Sequence, residues 1–303
     1  MRSIRDKSLK NKRLTKMDIV FDTLNVLLML AIIVVVLYPI FNLFSVSISQ
    51  DNHILRGDIT FYPKGFDLDA YKELFATSAV LRAFLNSVIV ASLGGLCSVF
   101  MTTLAAYPMV FSNFIGKKAY TIFVLIPLWF TAGIVPTYMV VNNLGLVDSF
   151  AALIILVLVS PYHVIIMSSF MRSIPGEVCE SAKIDGANDF RILFQIIMPV
   201  CKASIATIAL WVVVGHWNDF MNPLMYLKDF NKFTLQMVLR DIVMSAETAM
   251  YEIGGSSGST GVAGLSLQMK SAMMVISILP MLIFYPFIQK YFVTGVTLGS
   301  VKG

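Results

Sequence analysis

Six stretches of about 20 or more residues run almost without a charged side chain, at roughly 21–48, 83–112, 119–142, 149–171, 197–221 and 269–289. That pattern sets the solvent before it sets the fold. A chain with 57% hydrophobic and only 14% charged residues has too little polar surface to cover a core in water. In lipid a backbone must satisfy its own hydrogen bonds, so each stretch is expected as a transmembrane helix and the fold class as all-α, a polytopic bundle of six spans. Lys202 lies near one end of the fifth stretch, where its long stem reaches the headgroups.

The placement of charge orients the bundle. Seven of the 23 basic residues, from Arg2 to Lys16, precede the first span, so residues 1–20 are expected as a basic cytoplasmic tail. The apolar run from Thr23 to Phe44 is too long for a cleaved signal peptide. Lys117 and Lys118 follow the second span, and Arg172, Lys183 and Arg191 follow the fourth, while the connection Asn142 to Asp148 has no basic residue. Lys290 and Lys302 follow the sixth span. This alternation predicts both termini in the cytoplasm, and it explains the net charge of +5 as a topology signal rather than a nucleic-acid footprint.

Two longer segments fall on the external side. Asp51 to Glu73 predicts a small cap, and Lys228 to Gly264 an amphipathic stretch (Phe233 to Met250) followed by a flexible Gly/Ser run, Gly254 to Gly261. No Lys follows those glycines and no strand precedes them, so they are not read as a phosphate loop. Pro127, Pro136, Pro161, Pro280 and Pro286 are expected to kink their spans. Cys97, Cys179 and Cys201 have no metal-ligand spacing, and no metal site is expected.

The most informative polar stretch is Ser173 to Phe190. Pro175 suits the first turn of a helix, Glu177 favours the positive end of its dipole, and Gly186 suits a left-handed termination. Asn188 or Asp189 then caps a second short helix leading into Ile196, Ile197 and Pro199. The expected product is a helix–turn–helix that projects from the membrane, with small Ser181 and Ala182 open to close approach. It is a docking surface without an active site of its own.

The order Glu180-Ser181-Ala182, three residues, Gly186, nine residues, Ile196, one residue, Met198-Pro199 resembles the EAA loop of the membrane subunits of ABC importers. Ser181 stands for an alanine and Met198 for a leucine, and both keep size and character. Around it, Asn86-Ser87, Ala105-Ala106-Tyr107-Pro108, Trp217 to Leu224 and the tail from Gln289 to Gly303 resemble the carbohydrate branch, in particular the shorter subunit of maltose-type permeases and the oligosaccharide or polysaccharide permeases of Gram-positive bacteria. The resemblance implies a type I ABC importer transmembrane domain over residues 21–295, with residues 173–199 as the EAA coupling loop and 296–303 as a cytoplasmic C-terminal tail. It implies that Glu180, Ser181, Ala182, Lys183, Asp185 and Gly186 meet a cytoplasmic ATPase, with Glu180 the polar contact, Ala182 the close-packing position and Gly186 the turn.

Nothing in the sequence hydrolyses ATP, because it contains no Gly-x-x-x-x-Gly-Lys-Ser/Thr loop. The chain is thus not expected to be an enzyme or to carry a cofactor, and ATP belongs to a partner. By resemblance the partners are two ATPase copies, a second permease subunit forming a heterodimer, and an extracellular or periplasmic solute-binding protein, in a bacterial plasma membrane. Candidate path-lining residues are Asn142, His163, His216, Trp217, Asn218 and Asp219, since sugars are held by aromatic faces with a few amides or carboxylates. The EAA loop alone leaves a non-sugar solute open.

Overall fold

The computed structural model describes residues 16–111, 114–253 and 267–284, and within them every regular element is a helix. The expectations for the basic tail before Lys16, the Gly254 to Gly261 run, Pro286, and the end of the sixth span with the tail beyond it lie outside the described residues.

Helix α1 (Lys16–Ser47) is apolar on every side, and no residue from Lys16 to Pro39 touches enough of its own chain to be other than exposed. Its last turns are tied to the segment that follows. Asn42 Nδ2 donates to the carbonyls of Ile59 and Thr60, Ser45 Oγ to that of Phe61, and Tyr71 OH to Ser47 Oγ at 2.9 Å. The short helices α2 (Asp51–Leu55) and α3 (Asp69–Ala76) form the expected cap between α1 and the next long helix.

That helix, α4 (Ser78–Phe111), is the axis of the fold. Its 34 residues would extend about 50 Å, more than a bilayer's hydrocarbon thickness. One face is built from small or β-branched residues at helical spacing, from Ala83 through Ser87, Ala91, Gly94, Gly95, Ser98 and Thr102 to Ala106, and all of them are buried. Small residues let backbones approach, which is how helices associate when no hydrophobic force separates lipid from side chain. A Cβ at Gly94 would overlap the His216 imidazole, and one at Gly95 would come within 2.6 Å of Val213 Cγ2.

The third apolar stretch is not one helix. It forms α5 (Lys117–Leu125), a 3₁₀ turn at Ile126–Leu128 that starts around Pro127, an unwound segment, and α6 (Ile134–Asn143) after Gly133 at φ 80°. The fourth stretch breaks by 53° between α7 (Phe150–Leu156) and α8 (Pro161–Met171), where Pro161 lacks the N–H that would continue the first helix. After α8 come α9 (Gly176–Ile184) and α10 (Asp189–Ile192), a π turn at Leu193–Ile197, and α11 (Met198–Val200). An 83° bend then leads into α12 (Lys202–Asn218). The remaining helices are α13 (Met221–Tyr226), α14 (Leu235–Ile253) and α15 (Leu267–Phe284).

Among the described residues, three helices are long and apolar enough to cross a membrane (α1, α4 and α15), and five spans result if each bent pair counts as one. The 119–142 stretch falls short of that measure because its glycine and prolines divide it.

Polar contacts hold the Ser78 end of α4 to residues 231–235 and tie the neighbouring 228–232 segment to Asp148. Asn86 Nδ2 donates to the carbonyls of Asn231 and Phe233, Leu235 N donates to Ser87 Oγ at 2.8 Å, and Arg82 donates to Asn231 Oδ1. Beside them Asp148, at φ 62°, accepts from the backbone N–H groups of Lys228 and Asp229, each at 3.0 Å, and from Lys232 Nζ at 2.7 Å. Those donors hold the Asp148 carboxyl well below the usual carboxylate range, with the Lys232 ammonium contributing most.

Candidate functional site: the 173–199 hairpin

The hairpin follows its local chemistry closely. Pro175 stands one position before the first turn of α9 rather than within it, Glu177 lies in that first turn, and Lys183 lies in the last. Asp185 closes the helix and Gly186 turns the chain at φ 81°. Ala187 N then donates to Ala182 O at 2.9 Å, which satisfies one of the carbonyls left free at the helix end. Asn188 Oδ1 accepts from Arg191 N at 2.8 Å and caps α10. Met198 N–H returns to Leu193 O, five residues back, just before Pro199, so the proline is preceded by a π turn and followed by the sharp bend.

The two faces of α9 are chemically distinct. Cys179 and Ala182, three residues apart, face inward and join one core with Ala106 and Tyr107 of α4, Met167 and Met171 of α8, and Ile192 of α10. Burial pushes the Cys179 thiol up from its ordinary value, so it is a poor nucleophile. Glu180, Ser181, Lys183, Asp185 and Gly186 are exposed. Ser181 Oγ is already engaged with Glu177 O at 2.8 Å. Ala182 departs from the expectation: its small side chain serves a close approach within this chain, not an open surface.

Reading the sequence missed the apolar part of the outer face. Ile184 is 87% exposed and Phe190 68%, on either side of the Gly186 turn. A solvated turn rich in Asp, Gly and Asn would have polar residues there, so an apolar residue on each side of Asp185-Gly186 was the available signal.

The candidate path residues do not gather at one place. His163, His216 and Asp219 line one cavity of about 270 Å³, at the break between α7 and α8. Trp211, not singled out from sequence, lines it too and stacks on His163 with ring centroids 5.9 Å apart. His216 is buried, with its Nε2 packed toward Gly94. The Asp219 carboxylate accepts from the backbone and side-chain N–H groups of Asn222, holding the turn into α13. Trp217 is instead a packing residue, buried against Phe84 with Nε1 donating to Ser277 O at 3.0 Å. Asn218 borders a second, apolar cavity of about 630 Å³ between α12 and α15, and Asn142 is exposed on α6 and lines neither. Among the described residues, no three His, Cys, Asp or Glu side chains gather as metal ligands would.

With this geometry in place, known proteins are informative. Protein LplC of Bacillus subtilis (strain 168) is 35% identical over 291 residues, covering 95% of this chain and 97% of its own. The polygalacturonan/rhamnogalacturonan transport system permease protein YtcP of the same organism is 36% identical over 280 residues, with 91% and 96% covered. A chain from the crystal structure of a bacterial ABC transporter involved in the import of the acidic polysaccharide alginate superposes with a TM-score of 0.83 at 26% identity, over 93% of this chain and 100% of that one. Residues 11–298 match the family described as binding-protein-dependent transport system inner membrane component, and the chain belongs to that family.

Proposed function

We propose that this chain is one membrane-spanning permease subunit of an ATP-driven, binding-protein-dependent carbohydrate importer, and that its 173–199 hairpin couples a partner's ATP hydrolysis to solute movement. The carbohydrate reading is supported by end-to-end similarity to a permease named for polygalacturonan and rhamnogalacturonan and to the alginate importer chain. The coupling reading is carried by one observation. The hairpin packs Cys179 and Ala182 of α9 and Ile192 of α10 into the membrane domain and leaves Glu180, Lys183, Ile184, Asp185 and Phe190 uncovered. Exposed apolar side chains among charged ones suit a protein interface, in which apolar anchors are central and charges lie at the rim.

In this reading the chain crosses the bilayer six times over residues 21–295, with α5 and α6 together making the third span and both termini in the cytoplasm. Two ATPase copies, a second permease and a solute-binding protein complete the assembly, and ATP is bound and hydrolysed only by the partners. His163, His216 and Asp219 line one cavity with Trp211 as its aromatic face, which supports reading that cavity as part of the solute path. A coupling element has to contact its partner differently in two states, and closure of the ATPase dimer supplies that difference.

The experiment is reconstitution of the complete transporter in vesicles with Glu180→Lys. Assembly in the membrane is expected to persist while sugar uptake falls away from ATP hydrolysis. Uptake at the normal rate would sink the coupling assignment.

A further inference from the structure

Resting on the coupling reading, we propose that Tyr107 and Asp189 form a latch that makes the hairpin and the Phe111 end of α4 move as one body. Tyr107 is buried at the end of α4, and its hydroxyl donates to Asp189 Oδ1 at 3.0 Å, across 82 residues of sequence. The same oxygen lies 3.3 Å from Lys183 Nζ, so one carboxylate of α10 joins α4 to α10 and, across the Gly186 turn, to α9.

The packing around it is apolar: Cys179, Ala182, Ile192 and Ile197 of the hairpin share one core with Ala106 of α4 and Met171 of α8. Apolar contact is non-directional and tolerates sliding, whereas a hydrogen bond from a buried phenol fixes register and leaves an orphaned donor when broken. The hairpin has a covalent route into α12, through the π turn and α11. It has another into α8 through residues 172–175, whereas α4 is reached only across side-chain contacts. Yet α12 lies on α4 so closely at Gly94 and Gly95 that no Cβ fits there. The latch supplies α4 with the same displacement and spares that interface from shear. Tyr107 and Asp189 are positioning residues, since neither touches solute or nucleotide in this arrangement.

The test uses the assembled transporter in vesicles, with nitroxide labels at Leu96 on α4 and Gln195 beyond α10. Distances are measured without nucleotide and after trapping with ATP and vanadate. The labelled protein is expected to keep the same distance in both states. Tyr107→Phe, which deletes only the hydroxyl, is expected to bind the ATPase subunits as before and to shift the distance on trapping. Asp189→Ala, which also removes the Lys183 contact, is expected to shift it at least as far, and adding Tyr107→Phe to Asp189→Ala is expected to shift it no further, because the hydroxyl then has no link left to break. An unchanged distance in Tyr107→Phe overturns the latch, as does a shift in the unsubstituted protein. Reduced abundance in the membrane with no shift overturns it as well, by assigning Tyr107 to stability alone. Glu180→Lys in the same vesicles reports on docking separately, through co-purification of the ATPase and coupled hydrolysis, so failure of the coupling reading is distinguishable from failure of the latch.

Discussion

Asp148 is the single non-glycine residue at positive φ among those described, and its carboxylate explains why an aspartate is held there. Asp tolerates the left-handed region better than most residues, and here the strain is offset by two backbone donors and the Lys232 ammonium. The sign of its pH dependence follows from the depressed acidity. Its stabilising contribution is fully present above the unfolded carboxyl value of about 3.9 and is lost only as pH falls through the lower folded value. Asp148→Asn keeps the backbone preference and loses the charge. It is expected to lower the thermal midpoint in detergent by an amount that is constant from about pH 5 to 8 and shrinks in stronger acid. A deficit that grew as pH fell would contradict this account. Asp148 was legible in the sequence only as the edge of an uncharged loop, because its partners stand 80 to 84 residues away.

Between elements, the decisive contact is α4 against α12. Gly94 lies where any side chain would meet His216, so Gly94→Ala is expected to cost about 1–3 kcal/mol through overpacking. Gly215 faces open space on α12, and Gly215→Ala is expected to be neutral or to stabilise by up to about 1 kcal/mol through helix propensity. Thermal unfolding of the two variants in detergent checks the contrast, and equal midpoints would show that the two helices are not packed at this distance. The hairpin elements illustrate the other extreme. Its turn and caps could be read from Gly186 and Asn188 because the partners lie within five residues. Its buried face could not, since Val178 and Ile184 are as apolar as Cys179 and Ala182 yet stay exposed, and only the position of α4 selects between them.

At the scale of the molecule, α1 stands apart. Its apolar length stays exposed among the described residues, and its Ser47 end is attached, where buried Gln268 of α15 donates through Nε2 to Ser49 O at 3.1 Å and to Asp67 O at 3.3 Å. Gln268→Leu matches the side chain in size but leaves those carbonyls without this donor. It is expected to destabilise by about 1–3 kcal/mol and to loosen α1 and its cap before the rest of the bundle. Hydrogen exchange of residues 42–71 against residues 78–111 would show it, and a uniform loss of protection would argue that α1 and α4 unfold as one unit.

The amino-acid sequence by itself determined the solvent, the helical class and the turn of the hairpin, because these follow from composition, apolar run length and contacts a few residues apart. Tertiary structure alone decided which of the path candidates meet, that Trp217 is core while Trp211 borders a cavity, that Ala182 faces inward, and that Tyr107 reaches Asp189. For the hairpin the physical reason is distance in sequence, since α4 lies far from it along the chain, Tyr107 standing 82 residues before Asp189; for the spans it is the solvent. In lipid the inner and outer faces of a helix are both apolar, so periodicity carries little information about which face is buried, and only packing against another helix resolves it.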